Sequence, residues 1–379
     1  MLLALSISIS VGCGELDRYL FNYRAESEHS PFVLRDASSI ALNPLYPEDA
    51  SDAQVSFDLD GDGSFESKTT ASELPYHFTI DSNTPSVIEA SVDMVVRSYP
   101  ISILSADAPE LTLIDRKNVL IEVSTSNTCS RCVFVENHLH DIYNHDIHAD
   151  ETPYIAGPLS ILKHHEVMDL ESSPYGLERT EELWETVFGN PQSFIDGSTP
   201  VLGWEEGVTD LALDTEIEAA FATEPSVSAQ LRVWDVYSTR DNEDYLDVVI
   251  ALHDLGRNWS AGELRVHVVA FEHDYIPRGG AWEIQYNNYT SRAGRILDVP
   301  ALGDSDTLLF NTTLSMLNED GNPVYVNRAN LGVTVFIEDL TDCPAEGVDG
   351  SCTVLNSISG LIDGYIGQGY TRMGYEGLQ

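Results

Sequence analysis

The residues best suited to chemistry in this chain are two cysteines three positions apart, in Cys129-Ser130-Arg131-Cys132. A thiol acts as a nucleophile only as its thiolate, so the setting of the pair matters more than its spacing. The apolar, β-branched run Val119-Leu120-Ile121-Glu122-Val123 reads as a strand, and a helical pattern begins near Cys129. A thiol at a helix start faces unpaired backbone N–H groups and the positive end of the dipole, and Arg131 adds a fixed positive charge. Both favour the thiolate, so Cys129 is expected to be the exposed, attacking sulfur and Cys132 the shielded, resolving one. The same spacing serves as half of a zinc site. The other close pair, Cys343 and Cys352, is spaced differently and offers no second half.

A second candidate is Asp58-Leu59-Asp60-Gly61-Asp62-Gly63-Ser64-Phe65-Glu66, where carboxylates alternate beside glycines that permit a sharp turn. Hard oxygen ligands gathered this way suit Ca²⁺, with Asp58, Asp60, Asp62 and Glu66 as the expected ligands. Thr69 stands where an EF-hand requires a bidentate Glu, and the flanks read as strands, so the loop is either a calcium-binding turn or an ion-free acidic one. His138, His140, His145, His148, His164 and His165 crowd the region after the cysteines without a ligand spacing. His138 and His145 fall on the outer face of the expected helix, and the group is read as solvated rather than metal-binding.

The elements that must position these groups fall into three blocks. Residues 43–107 carry short apolar runs between turn residues, namely Gln54 to Phe57, Tyr76 to Ile80 and Val92 to Val96, and read as an all-β sandwich. Residues 108–223 read as α/β, with the strand from Val119 leading through a turn into a helix. On that helix Cys132, Val135, Leu139 and Ile142 follow an i, i+3, i+7, i+10 spacing and should form the buried stripe. A second helix is expected over Leu177 to Val187, a strand and turn over Gln192 to Gly197, and a last helix over Leu211 to Phe221. Residues 224–340 return to strand patterns, at Gln230 to Trp234, Tyr245 to Ile250, Leu264 to Val269 and Gly332 to Phe336, and read as a second β-sandwich. Residues 13–42 read as a polar linker and residues 341–379 as a Cys-bridged tail rich in Gly and Tyr.

With 62 acidic residues against 19 basic ones, the formal net charge is −43, and such a surface repels polyphosphates, so nucleic-acid binding is excluded as a function. A chain of 379 residues exceeds one ordinary core, and several domains are expected. Its first residues, MLLALSISISVGCG, form an apolar run too short to span a bilayer and read as the core of a signal peptide over residues 1–12. The five cysteines then divide into two close pairs and Cys13. In the oxidising setting that export implies, Cys343 and Cys352 are expected to form a local disulfide.

Three stretches carry a family resemblance. Ser10-Val11-Gly12-Cys13 resembles the lipobox of bacterial lipoprotein precursors, which implies lipidation of Cys13 and attachment to the outer membrane. The run from Val119 to Cys132 resembles the opening of thioredoxin-like domains. It is most similar to the twenty-eight-kilodalton outer-membrane protein family of bacterial lipoproteins, with Glu122 and Thr125 on matching positions. It departs at Thr128, where an aromatic residue is usual, and at Val133, where Pro often follows. The resemblance implies a thioredoxin-like domain over 108–223, with Glu122 beneath the cysteines, its pKa raised by desolvation, relaying a proton. Phe188 to Gly197 resembles the cis-proline loop of that fold, which implies a cis Pro191 near the sulfurs, beside a strand edge that holds substrate. On the residues alone, Glu122 is equally a half-exposed strand carboxylate and Pro191 an ordinary trans proline opening a strand. Phe57 to Glu66 resembles the Asp-rich turn of polycystic-kidney-disease-type Ig-like domains.

The expected protein is thus multidomain: an all-β Ig-like sandwich, an α/β thioredoxin-like domain and a second β-sandwich, held in the bacterial envelope by a lipid at Cys13. Its expected activity is thiol–disulfide exchange with the thiols or disulfides of exported proteins. That chemistry needs no cofactor, and calcium would belong to the N-terminal domain. The alternative is a surface-binding or adhesive lipoprotein in which the fold is a scaffold and Cys129–Cys132 a structural disulfide.

Overall fold

The computed structural model describes residues 31–361 apart from 37, 45–51, 82, 93–94, 106, 109–116, 127–128, 145–158, 166–172, 184–189, 198–199, 239–242, 273–289, 304–306, 317–330 and 345–349. The expected signal peptide, Cys13, His145 and His148 lie outside the described residues. Seven strands come first: β1 (Phe32–Arg35), β2 (Ser39–Asn43), β3 (Gln54–Asp58), β4 (Ser67–Thr70), β5 (Tyr76–Thr79), β6 (Val87–Val92) and β7 (Val95–Leu104). The middle of the chain alternates strands and helices: β8 (Val119–Thr125), α1 (Cys132–Asn144), β9 (Leu159–His165), α2 (Pro174–Leu183), β10 (Gln192–Ile195), β11 (Pro200–Leu202) and α3 (Thr209–Phe221). Seven longer strands follow: β12 (Val227–Ser238), β13 (Glu243–Asp254), β14 (Leu264–Glu272), β15 (Thr290–Asp298), β16 (Thr307–Ser315), β17 (Leu331–Asp339) and β18 (Thr353–Leu361). The protein is therefore mostly β. No described helix is long and apolar enough to cross a membrane.

The strands form three sheets, ordered β1-β7-β6-β3-β4, β12-β13-β16-β2-β5 and β11-β10-β8-β9-β15-β14-β17-β18. Their stacking follows from side-chain alternation. In β13, Leu246, Val248, Ile250 and Leu252 point into a core shared with β14, β17 and β18, whereas Val249 and Ala251 point into a core shared with Val55, Phe57, Ile88 and Tyr99 of the N-terminal strands. A strand apolar on both faces belongs in a buried sheet, and the sheet of β12, β13, β16, β2 and β5 is indeed the middle layer of three. By contrast β6 alternates, burying Ile88, Ala90 and Val92 only, as a strand with one wet face should.

These layers cross the expected divisions. β2, within the stretch read as a linker, pairs in parallel with β16 and buries Ile40, Ala41 and Leu42. Gln230 on β12 grips β1 like a surrogate strand: its side-chain carbonyl accepts Val33 N–H at 2.8 Å, and its amide donates to Val33 O at 2.8 Å. The expected strand over Val92 to Val96 is instead the join of β6 and β7, with Val92 opposite Val95. The tail contributes β18, whose apolar residues Val354 and Ile358 are buried.

The eight-stranded sheet rolls until its ends meet. Ser351 N–H donates to Gly197 O at 3.0 Å and Val354 N–H to Asp196 O at 3.0 Å, joining the start of β18 to the turn after β10. Gly197 has φ 72°, and a Cβ there would run into Ser351 and the Cys352 backbone, so the closure needs glycine. α2 packs on β9 and β15 while its Arg179 reaches both β8 and β17, which places this helix inside the roll.

Candidate functional site

β8 is buried along its whole length, covered on both faces, and delivers the chain to the cysteines at its C-terminal end. The helix begins at Cys132 rather than near Cys129, and Cys129 to Arg131 form the turn before it. Cys129 and Cys132 are joined as a disulfide. Cys129 is half-buried, Ser130 and Arg131 are exposed, and Cys132 is fully buried. The Cys132 N–H, one of the unpaired donors of the helix start, points at Cys129 Sγ at 3.1 Å. In the reduced state that donor would stabilise a thiolate on the outer sulfur.

Below the pair, α1 buries Cys132, Val135 and Leu139 as the spacing predicts, and adds one charged residue to the stripe, Glu136. Glu136 lies one turn after Cys132, where side chains four apart stand roughly 5–6 Å from each other at Cβ. Its carboxylate receives Lys163 Nζ at 2.8 Å and Thr125 Oγ1 at 2.7 Å, all out of solvent. In the parallel pairing of β8 with β9, Val123 stands beside Lys163, so Val123, Thr125 and Lys163 share the face that supports α1.

Glu122 lies on the other face. Register places it beside Leu162 and on the side of His164, away from α1, so the expectation that it sits beneath the cysteines is corrected. Burial pushes its carboxyl pKa up, but Arg179 and His164 outweigh burial and hold it well below the usual carboxylate range. The guanidinium donates from Nε at 2.9 Å and from Nη2 at 2.7 Å, a two-pronged grip on one carboxylate. A proton relay needs a group that gains and loses a proton near neutral pH, and Glu122 is locked in the charged form.

Arg179 also meets Glu338 at 2.8 Å, Glu182 at 2.7 Å and Ser351 Oγ at 3.0 Å. Glu338 in turn receives His267 Nε2 at 2.9 Å, and Tyr175 O–H donates to His267 Nδ1 at 2.8 Å. Burial raises the Glu338 pKa, and Arg179 and His267 pull it down to about 2. Burial holds His267 below its ordinary pKa, and with one nitrogen donating and the other accepting the ring is neutral. Gly294 makes room for the Tyr175 ring, which a Cβ there would strike.

Asn190–Pro191 is a cis peptide. Gln192 pairs with Ser124 and the Ser124 hydroxyl donates to Asn190 Oδ1 at 2.8 Å, so Pro191 sits at the end of β8 from which the chain turns to Cys129. Cys343 and Cys352 form the second disulfide, Cys343 exposed and Cys352 buried. In the acidic loop Asp58, Asp60 and Glu66 bring carboxylate oxygens within 4.8 Å of one another. Asp58 accepts Gly61 N–H at 2.7 Å and Gly63 N–H at 2.8 Å, while Asp62 is turned to Ser64 N–H at 2.7 Å and stands outside that group. His138 is not on a free outer face: it bonds Asp214 at 2.9 Å beside the Trp204 ring.

Sequence reasoning missed Glu136, Lys163, Arg179, Glu338 and His267. Lys163 carried a signal, as one of few lysines and set at the end of the apolar run Leu159-Ser160-Ile161-Leu162. A cation there has to find a buried anion.

No family model matches the chain, and no curated protein matches it. Among solved structures, HBP35 of Porphyromonas gingivalis aligns with a TM-score of 0.47 at 15% identity, covering 68% of this chain and 79% of that one. Protein AGR_C_4864 from Agrobacterium tumefaciens aligns with a TM-score of 0.36 at 14% identity, covering 66% of this chain and 96% of that one.

Proposed function

We propose that this protein carries out thiol–disulfide exchange with exported proteins through Cys129 and Cys132, in a thioredoxin-like unit made of β8, α1, β9, α2, β10, β11 and α3. The observation that carries the reading is the asymmetry of the pair: Cys129 is reachable, Cys132 is buried behind it, and a helix-start N–H faces the outer sulfur. The strand order β11-β10-β8-β9, with β8 and β9 parallel and β10 antiparallel to β8, and helices between them, supports an α/β unit around the pair. In the reducing direction, the Cys129 thiolate attacks a substrate disulfide and expels one substrate thiolate, leaving a mixed disulfide. The Cys132 thiolate then attacks Cys129 Sγ, forms the observed bond and releases the second substrate thiol. Glu136, held by Lys163 and Thr125 beneath Cys132, takes the place of Glu122 as the group positioned to receive the Cys132 proton.

The reading extends to an exported lipoprotein tethered at Cys13, related to the twenty-eight-kilodalton outer-membrane family. Two disulfides among the described residues support an oxidising setting. Asp58, Asp60 and Glu66, hard oxygen donors on one turn, would hold Ca²⁺ in the N-terminal sheet. The decisive experiment incubates the Cys132→Ser variant with a disulfide-containing peptide. Accumulation of a mixed disulfide at Cys129, absent from Cys129→Ser, is the expected result. No adduct with either variant would leave the pair as a structural bond in a binding scaffold.

A further inference from the structure

Exposed apolar side chains are unevenly spread over this molecule. Phe134 in the first turn of α1, Leu202 at the end of β11, and Val208 and Leu211 at the start of α3 are each at least half exposed, and only Ile296 among the other large apolar residues described is comparably open. Trp204, two residues after Leu202, links the two sides. Its ring stacks on Phe134 at 6.0 Å and lies 6.1 Å from His138, which bonds Asp214 on α3, one turn beyond Leu211. On the α3 side the chain is strongly acidic: Glu205, Glu206, Asp210, Asp214, Glu216 and Glu218 fall between Leu202 and Phe221, with no Lys or Arg in that stretch, while the exposed Arg131 stands at the Cys129 end.

We propose that this face, beside the Cys129–Cys132 bond, docks a polypeptide segment whose apolar side chains are flanked by Lys or Arg. An apolar centre within a charged rim is the layout of a specific interface, and the sign of the rim selects the partner. A second copy of this chain would bring the same carboxylates and a net charge of −43 against them, and an anionic membrane surface would be repelled in the same way. The segment's role as redox substrate rests on the exchange reading; its binding does not.

The test uses the full chain with its disulfides intact and two cysteine-free labelled peptides, one Leu/Phe core flanked by Lys and the same core flanked by Glu, followed by fluorescence anisotropy. The Lys-flanked peptide should bind, weaken as salt rises, and lose roughly tenfold or more in affinity on the Phe134→Ser/Leu211→Ser variant. The Glu205→Lys/Glu216→Lys/Glu218→Lys variant, which leaves the apolar centre whole, should weaken it as well and improve the Glu-flanked peptide. Equal binding of both peptides, or no change in either variant with an unchanged circular dichroism spectrum, overturns the proposal. So does sedimentation showing a dimer that these substitutions dissociate. If peptides extended by a disulfide bind as expected yet form no adduct at Cys129 of the reduced Cys132→Ser variant, the exchange reading fails alone. If both form adducts at the same rate, docking fails alone.

Discussion

The two faces of β8 bury charge in opposite ways. On the inner face of the roll, Arg179 divides its donors among Glu122, Glu338, Glu182 and Ser351, and two histidines and a tyrosine close the remaining positions. On the outer face Glu136 and Lys163 form a pair beneath a disulfide whose first cysteine is half-buried. The network spans β8, α2, β17 and Ser351 just before β18, segments far apart in the chain, so it acts as a fastening of the rolled sheet. The outer pair is local to α1 and the strands below it. Buried charge with many partners ties distant segments together here, whereas the local pair under α1 is the one the proposed exchange chemistry would use.

The largest effect should come from breaking the fastening. Arg179→Met leaves Glu122 and Glu338 buried without the guanidinium they share, which should cost roughly 3–5 kcal/mol, read as a lower urea midpoint. Adding Glu122→Gln and Glu338→Gln to that variant should recover most of the loss, because the penalty lies in the unpaired charges. If Arg179→Met alone were as stable as the native chain, the network would not be a fastening.

Acid should separate the faces next. Both network carboxylates have folded pKa values below the unfolded value of about 4.3, so their stabilisation is complete above that pH and is lost as pH falls through about 2, the Glu338 value. His267, kept neutral by burial, adds a loss that starts below about pH 6.5. Unfolding free energies from urea titrations between pH 7 and pH 2 should fall by an amount on the order of a few kcal/mol, and Glu338→Gln should flatten the lower part of the curve.

On the outer face, Glu136→Gln should slow closure of the Cys129–Cys132 bond from the mixed disulfide by roughly tenfold or more. The same change strands Lys163, so stability should drop too, and Glu136→Gln/Lys163→Met should restore stability without restoring the rate. A double variant that regains both would make the pair structural, like its counterpart. The smallest effect concerns the exposed acidic loop. Ca²⁺ at ten times its dissociation constant should add about 1.4 kcal/mol to the unfolding of the unit it binds, and Asp58→Asn with Asp60→Asn should abolish the increment. An unchanged midpoint in millimolar Ca²⁺ would make the loop an ion-free turn.

What the sequence by itself determined is what local periodicity and residue chemistry encode. The strand before the cysteines, the buried stripe of Cys132, Val135 and Leu139, the final helix ending at Phe221, the deeper burial of Cys132 than of the half-buried Cys129 and the pairing of Cys343 with Cys352 all depend on neighbours within a few turns of chain. Only the tertiary structure decided which face of β8 each carboxylate serves. Glu122 reads the same on either face until β9 is laid beside it in register, and a shift of one residue would have put it under the cysteines. The same holds for β2, whose first four residues look like a linker until β16 lies next to them, and for Arg179, whose partners reach as far along the chain as Ser351, 172 residues away. Pairings of that kind are set by how whole sheets stack and roll. The free energy that selects them is the burial of two apolar faces at once, which no single stretch of sequence records.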